Sequence, residues 1–129
     1  MNRKIVVTAA IFGLLAVIAG AFGAHSLKAR LSLSDIEIWH TAVQYQFYHV
    51  FALLFLGLYT GGRKNFVNLS YYLFTLGIIC FSGSLYLLAA EDLLGLRIGH
   101  IIWPVTPLGG VLFIGGWVAL VLAAVKRNE

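Results

Sequence analysis

The side chains able to do chemistry gather on one apolar stretch, Trp39-His40-Thr41-Ala42-Val43-Gln44-Tyr45-Gln46-Phe47-Tyr48-His49. At about 100° per residue, Thr41, Gln44, Tyr45, Tyr48 and His49 fall within an arc of roughly 140°, while Val43, Phe47, Val50, Phe51, Leu54 and Leu58 take the other side. An amide, hydroxyls and an imidazole on one helix face can hold a headgroup or small solute, pass a proton, or fasten two helices. Hydrocarbon offers such groups no water, so the stripe is expected to turn inward and the apolar side to face lipid. Tyr71, Thr75, Ser82 and Tyr86, with Gly83 beside them, form a second stripe expected to face the first. The two would enclose a recess built from His25, Gln44, Tyr45, Tyr48, His49, Ser82 and Tyr86, taking a lipid headgroup or small ligand.

His49 lies about ten residues beyond Trp39, hence roughly 15 Å deeper. It has two readings: a functional ionisable group, or a neutral ring bonded to Tyr86 or Ser82 to tie helices together. His25, at the end of the first helix, fits a cap on the last carbonyls. A metal site is not expected, because His40 and His49 are nine residues apart, about 180° around a helix, and cannot converge. A haem would need His25 and His49, whose depths differ by around 10 to 15 Å. No cofactor is expected. Ser82 and Ser84 have no aspartate and histidine pair to make a hydrolase triad, so no catalytic residue is assigned. The glycine pairs lack the Lys and Ser or Thr of a phosphate loop.

The elements that must position these groups follow from hydropathy. Of 129 residues, 60% are apolar and 11% charged, with a mean hydropathy of +0.91; this is an all-α integral membrane protein rather than a soluble domain. Four spans use up the chain as a single transmembrane domain, with helices expected over 5–24, 36–60, 69–90 and 107–125. The first could be taken for a secretory signal. Its seam of Ala9, Gly13, Ala16, Gly20, Gly23 and Ala24 at helical spacing argues instead for a retained helix with a close neighbour. Ser34 and Glu37 fit a capping box that starts the second helix near Asp35, and Gly61-Gly62 would end it in the left-handed conformation. Glu91-Asp92 closes the third, the stretch from Leu93 to Val105 can include a short interfacial helix, and Thr106-Pro107 starts the fourth. There Gly109, Phe113, Gly116 and Leu120 share a side, and the Trp117 indole needs a partner inside the bundle. Cys80 reads as a small packing residue.

The net charge of +4 does not point to nucleic acid, because the basic residues sit in pairs beside the spans. Arg3, Lys4, Arg63, Lys64, Lys126 and Arg127 fall on one side, and Lys28, Arg30 and Arg97 on the other. Six against three places both termini in the cytoplasm and the recess in the outer half.

Four ordered motifs carry a resemblance: Gly20-Ala21-Phe22-Gly23-Ala24-His25; Thr41 with Tyr45-Gln46 and His49; Phe81-Ser82-Gly83-Ser84-Leu85-Tyr86; and Thr106-Pro107-Leu108-Gly109-Gly110 with Gly115-Gly116-Trp117. In order and spacing, over nearly the whole chain, they resemble the small bacterial inner-membrane family catalogued as domain of unknown function 423, which has relatives in animals. The resemblance implies a four-helix, multi-pass protein of the bacterial plasma membrane, loosely linked to envelope homeostasis. The leading expectation is a non-enzymatic bundle, able to self-associate, that supports membrane integrity or assists other membrane components. The alternatives are an oligomeric transporter or flippase using His49 as a protonatable group, and a quinone- or haem-associated redox subunit.

Overall fold

The structure, a computed structural model, describes residues 1–125; the orientation charges Lys126 and Arg127 lie outside the described residues. Four helical stretches are long and apolar enough to cross a membrane: Arg3–Leu27, Leu33–Leu58, Lys64–Leu94 and Gly99–Val125. No strand occurs among the described residues. The first stretch is α1 (Arg3–Phe22) extended by a π-helical turn at Gly23–Leu27, and the second is α2 (Leu33–Leu58). The third joins α3 (Lys64–Gly77) to α4 (Gly83–Leu94) through a second π turn, Ile78–Ser82, and the short α5 (Gly99–Ile102) leads into α6 (Val105–Val125).

The helix ends correct several expectations. Ser32, not Ser34, caps α2, accepting a hydrogen bond from the Asp35 amide at 3.2 Å; the hydroxyl three residues before that amide has the shorter reach. Gly61 and Gly62 are not left-handed, since Gly95 is the one described residue with positive φ, at 68°. Their small size serves instead to let Tyr59 and the Ala123 carbonyl come close to Gly62. The third stretch continues past Glu91-Asp92 to Leu94, where Gly95 stops it. The Glu91 carboxylate accepts the Ile98 and Gly99 amides at 3.2 and 2.9 Å, which starts α5. The fourth helix begins at Val105, and the Thr106 hydroxyl bonds Ser84 rather than capping its own helix.

α1 packs along α2, α6 along α3 and the second π turn, and α2 joins the two pairs through α4. The small seam of α1 does what its spacing predicts: Ala9 and Ala16 are buried, and Gly13 and Gly20 face Val50 and Val43 of α2. Gly23 lies so close to the Trp39 indole that a Cβ there would sit 2.6 Å from it. The other interface interlocks reciprocally. Phe74 of α3 fills the space over Gly116, Phe113 of α6 fills that over Gly77, and the Phe81 backbone rests on Gly109. Close approach of this kind replaces the hydrophobic effect, which cannot drive helices together in lipid.

Gly109 and Gly110 separate close packing from composition. A Cβ on Gly109 collides with the Phe81 backbone, whereas one on Gly110 meets nothing nearer than 4.0 Å. Gly109→Ala is expected to destabilise the detergent-solubilised protein by about 1–3 kcal/mol, and Gly110→Ala by less than about 0.5 kcal/mol, read from denaturant unfolding.

Candidate functional site

The inward face of α2 is turned about 100° from the expected one. Ala42, Gln46, His49, Val50, Leu53 and Leu56 are buried. Gln44 is exposed, and Tyr45 and Tyr48 keep 39% and 53% of their surface open. Gln44 is five residues from Trp39, about 7.5 Å, near enough to the headgroups for its amide to reach water. The tyrosines are mostly apolar ring, so their hydroxyls do not force them inward. Val50, assigned to lipid, instead packs against Gly13.

Most of the polar groups that face inward cross to a neighbouring helix; the Thr75 hydroxyl is buried without a hydrogen-bond partner among the described residues. The Gln46 amide donates to the Phe12 carbonyl at 2.8 Å and accepts from the Tyr86 hydroxyl at 2.7 Å, tying α1, α2 and α4 through one side chain. The Ser82 hydroxyl donates to the Ala42 carbonyl at 2.7 Å, and the Ser70 hydroxyl to the Gly116 carbonyl at 2.8 Å. Trp39 donates its indole N–H to the Ala19 carbonyl at 2.8 Å. Near the terminal end, the Thr8 and Tyr71 hydroxyls pair at 2.8 Å.

His49 is held from both sides. Its Nε2 accepts the Trp117 indole N–H at 3.1 Å, and its Nδ1 lies 2.7 Å from the Tyr45 carbonyl of its own helix. An indole can only donate and a carbonyl can only accept, so this geometry requires the neutral ring with its proton on Nδ1. The imidazole also stacks on Phe113, with centroids 3.5 Å apart and planes 5° from parallel. The expected bonds to Ser82 and Tyr86 are absent, because those hydroxyls are engaged with Ala42 and Gln46.

The residues expected to enclose one recess therefore do not meet. Two grooves replace it. One, of about 520 Å³, is bounded by α1 (Phe12, Leu15 and Phe22 among its residues), by Trp39 and Gln46 of α2, and by Gly83 and Tyr86 of α4. The second, of about 470 Å³, lies between α2 and α6, with Tyr45, His49, Phe113 and Trp117 among its walls. His25, Gln44 and Tyr48 line neither groove, and Ser82 is fully buried. Among the described residues no three of His, Cys, Asp or Glu gather as a metal would require. Sequence reasoning placed Tyr86 in the recess but missed Gln46 as its partner and the bond from Gln46 to Phe12. The available signal was the run Ala42, Gln46, His49, Leu53, Leu56, a seven-residue repeat of inward positions.

The relatives of this chain are membrane proteins by name. The family model described as "Protein of unknown function (DUF423)" matches residues 19–110. The chain belongs to this family. A Staphylococcus epidermidis UPF0382 membrane protein is 43% identical over 96% of this chain and 97% of its own length. The Bacillus subtilis UPF0382 membrane protein YwdK is 40% identical over 96% and 98%, and a Staphylococcus haemolyticus relative 38% over 96% and 97%. No solved structure gives a significant match. This DUF423 member is a four-helix, multi-pass protein of the bacterial plasma membrane, and its surroundings are the lipid bilayer.

The two α2 glutamines test which face is structural. Gln46→Leu breaks bonds to two helices and is expected to cost about 1–3 kcal/mol of unfolding free energy, while Gln44→Leu changes it by less than about 0.5 kcal/mol. Trp117→Phe, which strands His49 Nε2, should cost about 0.6–1.5 kcal/mol. Equilibrium unfolding in mixed micelles measures all three.

Proposed function

We propose that the protein is a non-enzymatic component of the plasma membrane that holds a phospholipid acyl chain in the groove between α1 and α4, and so supports membrane integrity. The carrying observation is that groove. It extends along α1 from Phe12 to Phe22, about 15 Å, or half of a hydrocarbon core roughly 30 Å thick, which is the depth of one leaflet. Its walls are apolar side chains, and its polar atoms are concentrated at Gln46 and Tyr86. Tyr86 donates to Gln46 and keeps lone pairs free, and the Gln46 amide keeps a second N–H beyond the one given to Phe12. An ester carbonyl can accept that N–H; having no donor it cannot use the Tyr86 lone pairs, and Tyr86 serves by holding the Gln46 amide in place. Trp39 stands at the mouth, edge-on to Tyr86 at 4.6 Å, where an indole suits the boundary between chains and headgroups.

The charge asymmetry supports cytoplasmic termini, which puts Trp39 and the groove in the outer leaflet. The His49 geometry supports this holding role over transport. A shuttle needs a ring that gains and loses a proton, and a second proton here would oppose the Trp117 N–H.

Gly83 supplies the test, because it lines the groove and a Cβ added there meets nothing within 4 Å. In native mass spectrometry of protein extracted in mild detergent, Gly83→Phe is expected to lose the phospholipid that wild type retains, with its unfolding midpoint unchanged. Tyr86→Phe should weaken retention several-fold. Undiminished lipid on a folded Gly83→Phe protein would remove this reading.

A further inference from the structure

The opposite end of the bundle carries a different kind of cleft. It is about 590 Å³ in volume and opens where α1 and α3 begin and α2 ends, with Arg3, Lys4, Lys64, Asn68 and Thr60 among its walls. About half of its lining is polar, more than in either groove in the spans. All the acids among the described residues, Asp35 and Glu37 near the start of α2 and Glu91 and Asp92 near the end of α4, lie at the other end. Arg3, Lys4 and Lys64 thus have no carboxylate near them among the described residues. Lys4 is held in place by the Tyr72 hydroxyl, which accepts from its ammonium at 2.9 Å, and by the Tyr71 and Tyr72 rings at 5.5 and 5.1 Å. Arg3 and Lys64 are exposed.

The backbone is close to balanced here, because α1 and α3 begin at the cleft while α2 ends at it. The helix-end carbonyls nearby are already occupied: Gly57 accepts the Asn2 amide at 2.7 Å, Phe55 that of Tyr59 at 2.9 Å, and Ala123 that of Arg63 at 3.2 Å. Of the first-turn amides, that of Ile5 bonds the Asn2 side chain at 3.3 Å and that of Phe66 the Arg63 carbonyl at 3.1 Å, so the cationic side chains carry the positive charge of the cleft. Topology alone requires cations on this side of the membrane. It does not require cations from two helices to converge on one hollow that no acid among the described residues approaches.

We infer that this cleft binds a phosphate group, with Arg3 and Lys64 as its neutralising pair and Asn68 and Thr60 as neutral hydrogen-bonding partners. The phosphate can belong to an anionic phospholipid headgroup or to a soluble anion. At the end of a membrane helix bundle, basic pockets suit the former. This site is separate from the groove at Gln46 and Tyr86, so either can fail without the other.

Thermal unfolding of the full chain in an uncharged detergent tests the site, with phosphatidylglycerol, phosphatidylcholine or inorganic phosphate added. Phosphatidylglycerol is expected to raise the midpoint and phosphatidylcholine to leave it unmoved, with the rise shrinking as salt is added. Arg3→Gln/Lys64→Gln, both at exposed positions, should keep the lipid-free midpoint and lose about five-fold in affinity per cation removed. The same loss from Arg97→Gln, at the other end, would overturn the assignment. An equal rise with inorganic phosphate alone would uphold the site and make its ligand the soluble anion. Equal responses to the two lipids, or a phosphatidylglycerol effect insensitive to salt, would overturn the inference whatever the variants do.

Discussion

The interior of this bundle depends on one exchange: a side-chain donor on one helix given to a backbone carbonyl on the next. Trp39 to Ala19, Gln46 to Phe12, Ser82 to Ala42 and Ser70 to Gly116 all have this form. A helical carbonyl already bonded within its own helix keeps a second lone pair, so the crossing bond costs the acceptor helix nothing. The donor, which lipid cannot solvate, is satisfied. Such a bond requires the two backbones to come close. This is why glycine and alanine run beside the polar residues, and why the seam of α1 and the glycines of α6 belong to the same device as Gln46 and the serines.

The same constraint explains how much was legible in advance. Four spans follow from hydropathy because bilayer thickness sets helix length. The seam residues Gly13, Gly20 and Gly116 were legible because close approach demands small side chains whatever the partner is. Trp117 was expected to need an interior partner, and the structure supplies His49. The rotation of α2 was not legible, because three tyrosine and glutamine side chains weighted the count toward the wrong face. All three, Gln44, Tyr45 and Tyr48, are exposed, while Gln46, a single amide among apolar neighbours, joins three helices. Which arc of a helix turns inward is settled by the shape of its neighbours, here Gly13 and Gly20 receiving Val50 and Val43. That information lies on another part of the chain.

His49 shows how an intramembrane histidine can look functional and be occupied. Its two nitrogens point in opposite directions, one to the carbonyl of Tyr45 a turn back and one across to Trp117, and Phe113 covers its face. Together these contacts join α2 to α6, helices whose backbones otherwise stay apart while α3 and α4 lie between them. The groove beside it follows from that separation.

The wide turn at Ile78–Ser82 bears on how the chain can change length. Its Gly83 amide reaches back to Ile78, five residues away, so the turn absorbs one residue more than regular helix needs. Ser70 and Phe74 before it meet Gly116 of α6, Ser82 and Tyr86 after it meet Ala42 and Gln46 of α2, and the surplus between them is taken up locally, at exposed Ile79 and its neighbour Cys80. Such a turn works like a shim. A chain lacking one of those two residues could close into ordinary α-helix with the downstream half still in register, whereas the same deletion at Leu73 or Leu88 would swing everything beyond it by about 100°. Within this span, length is negotiable at one place only.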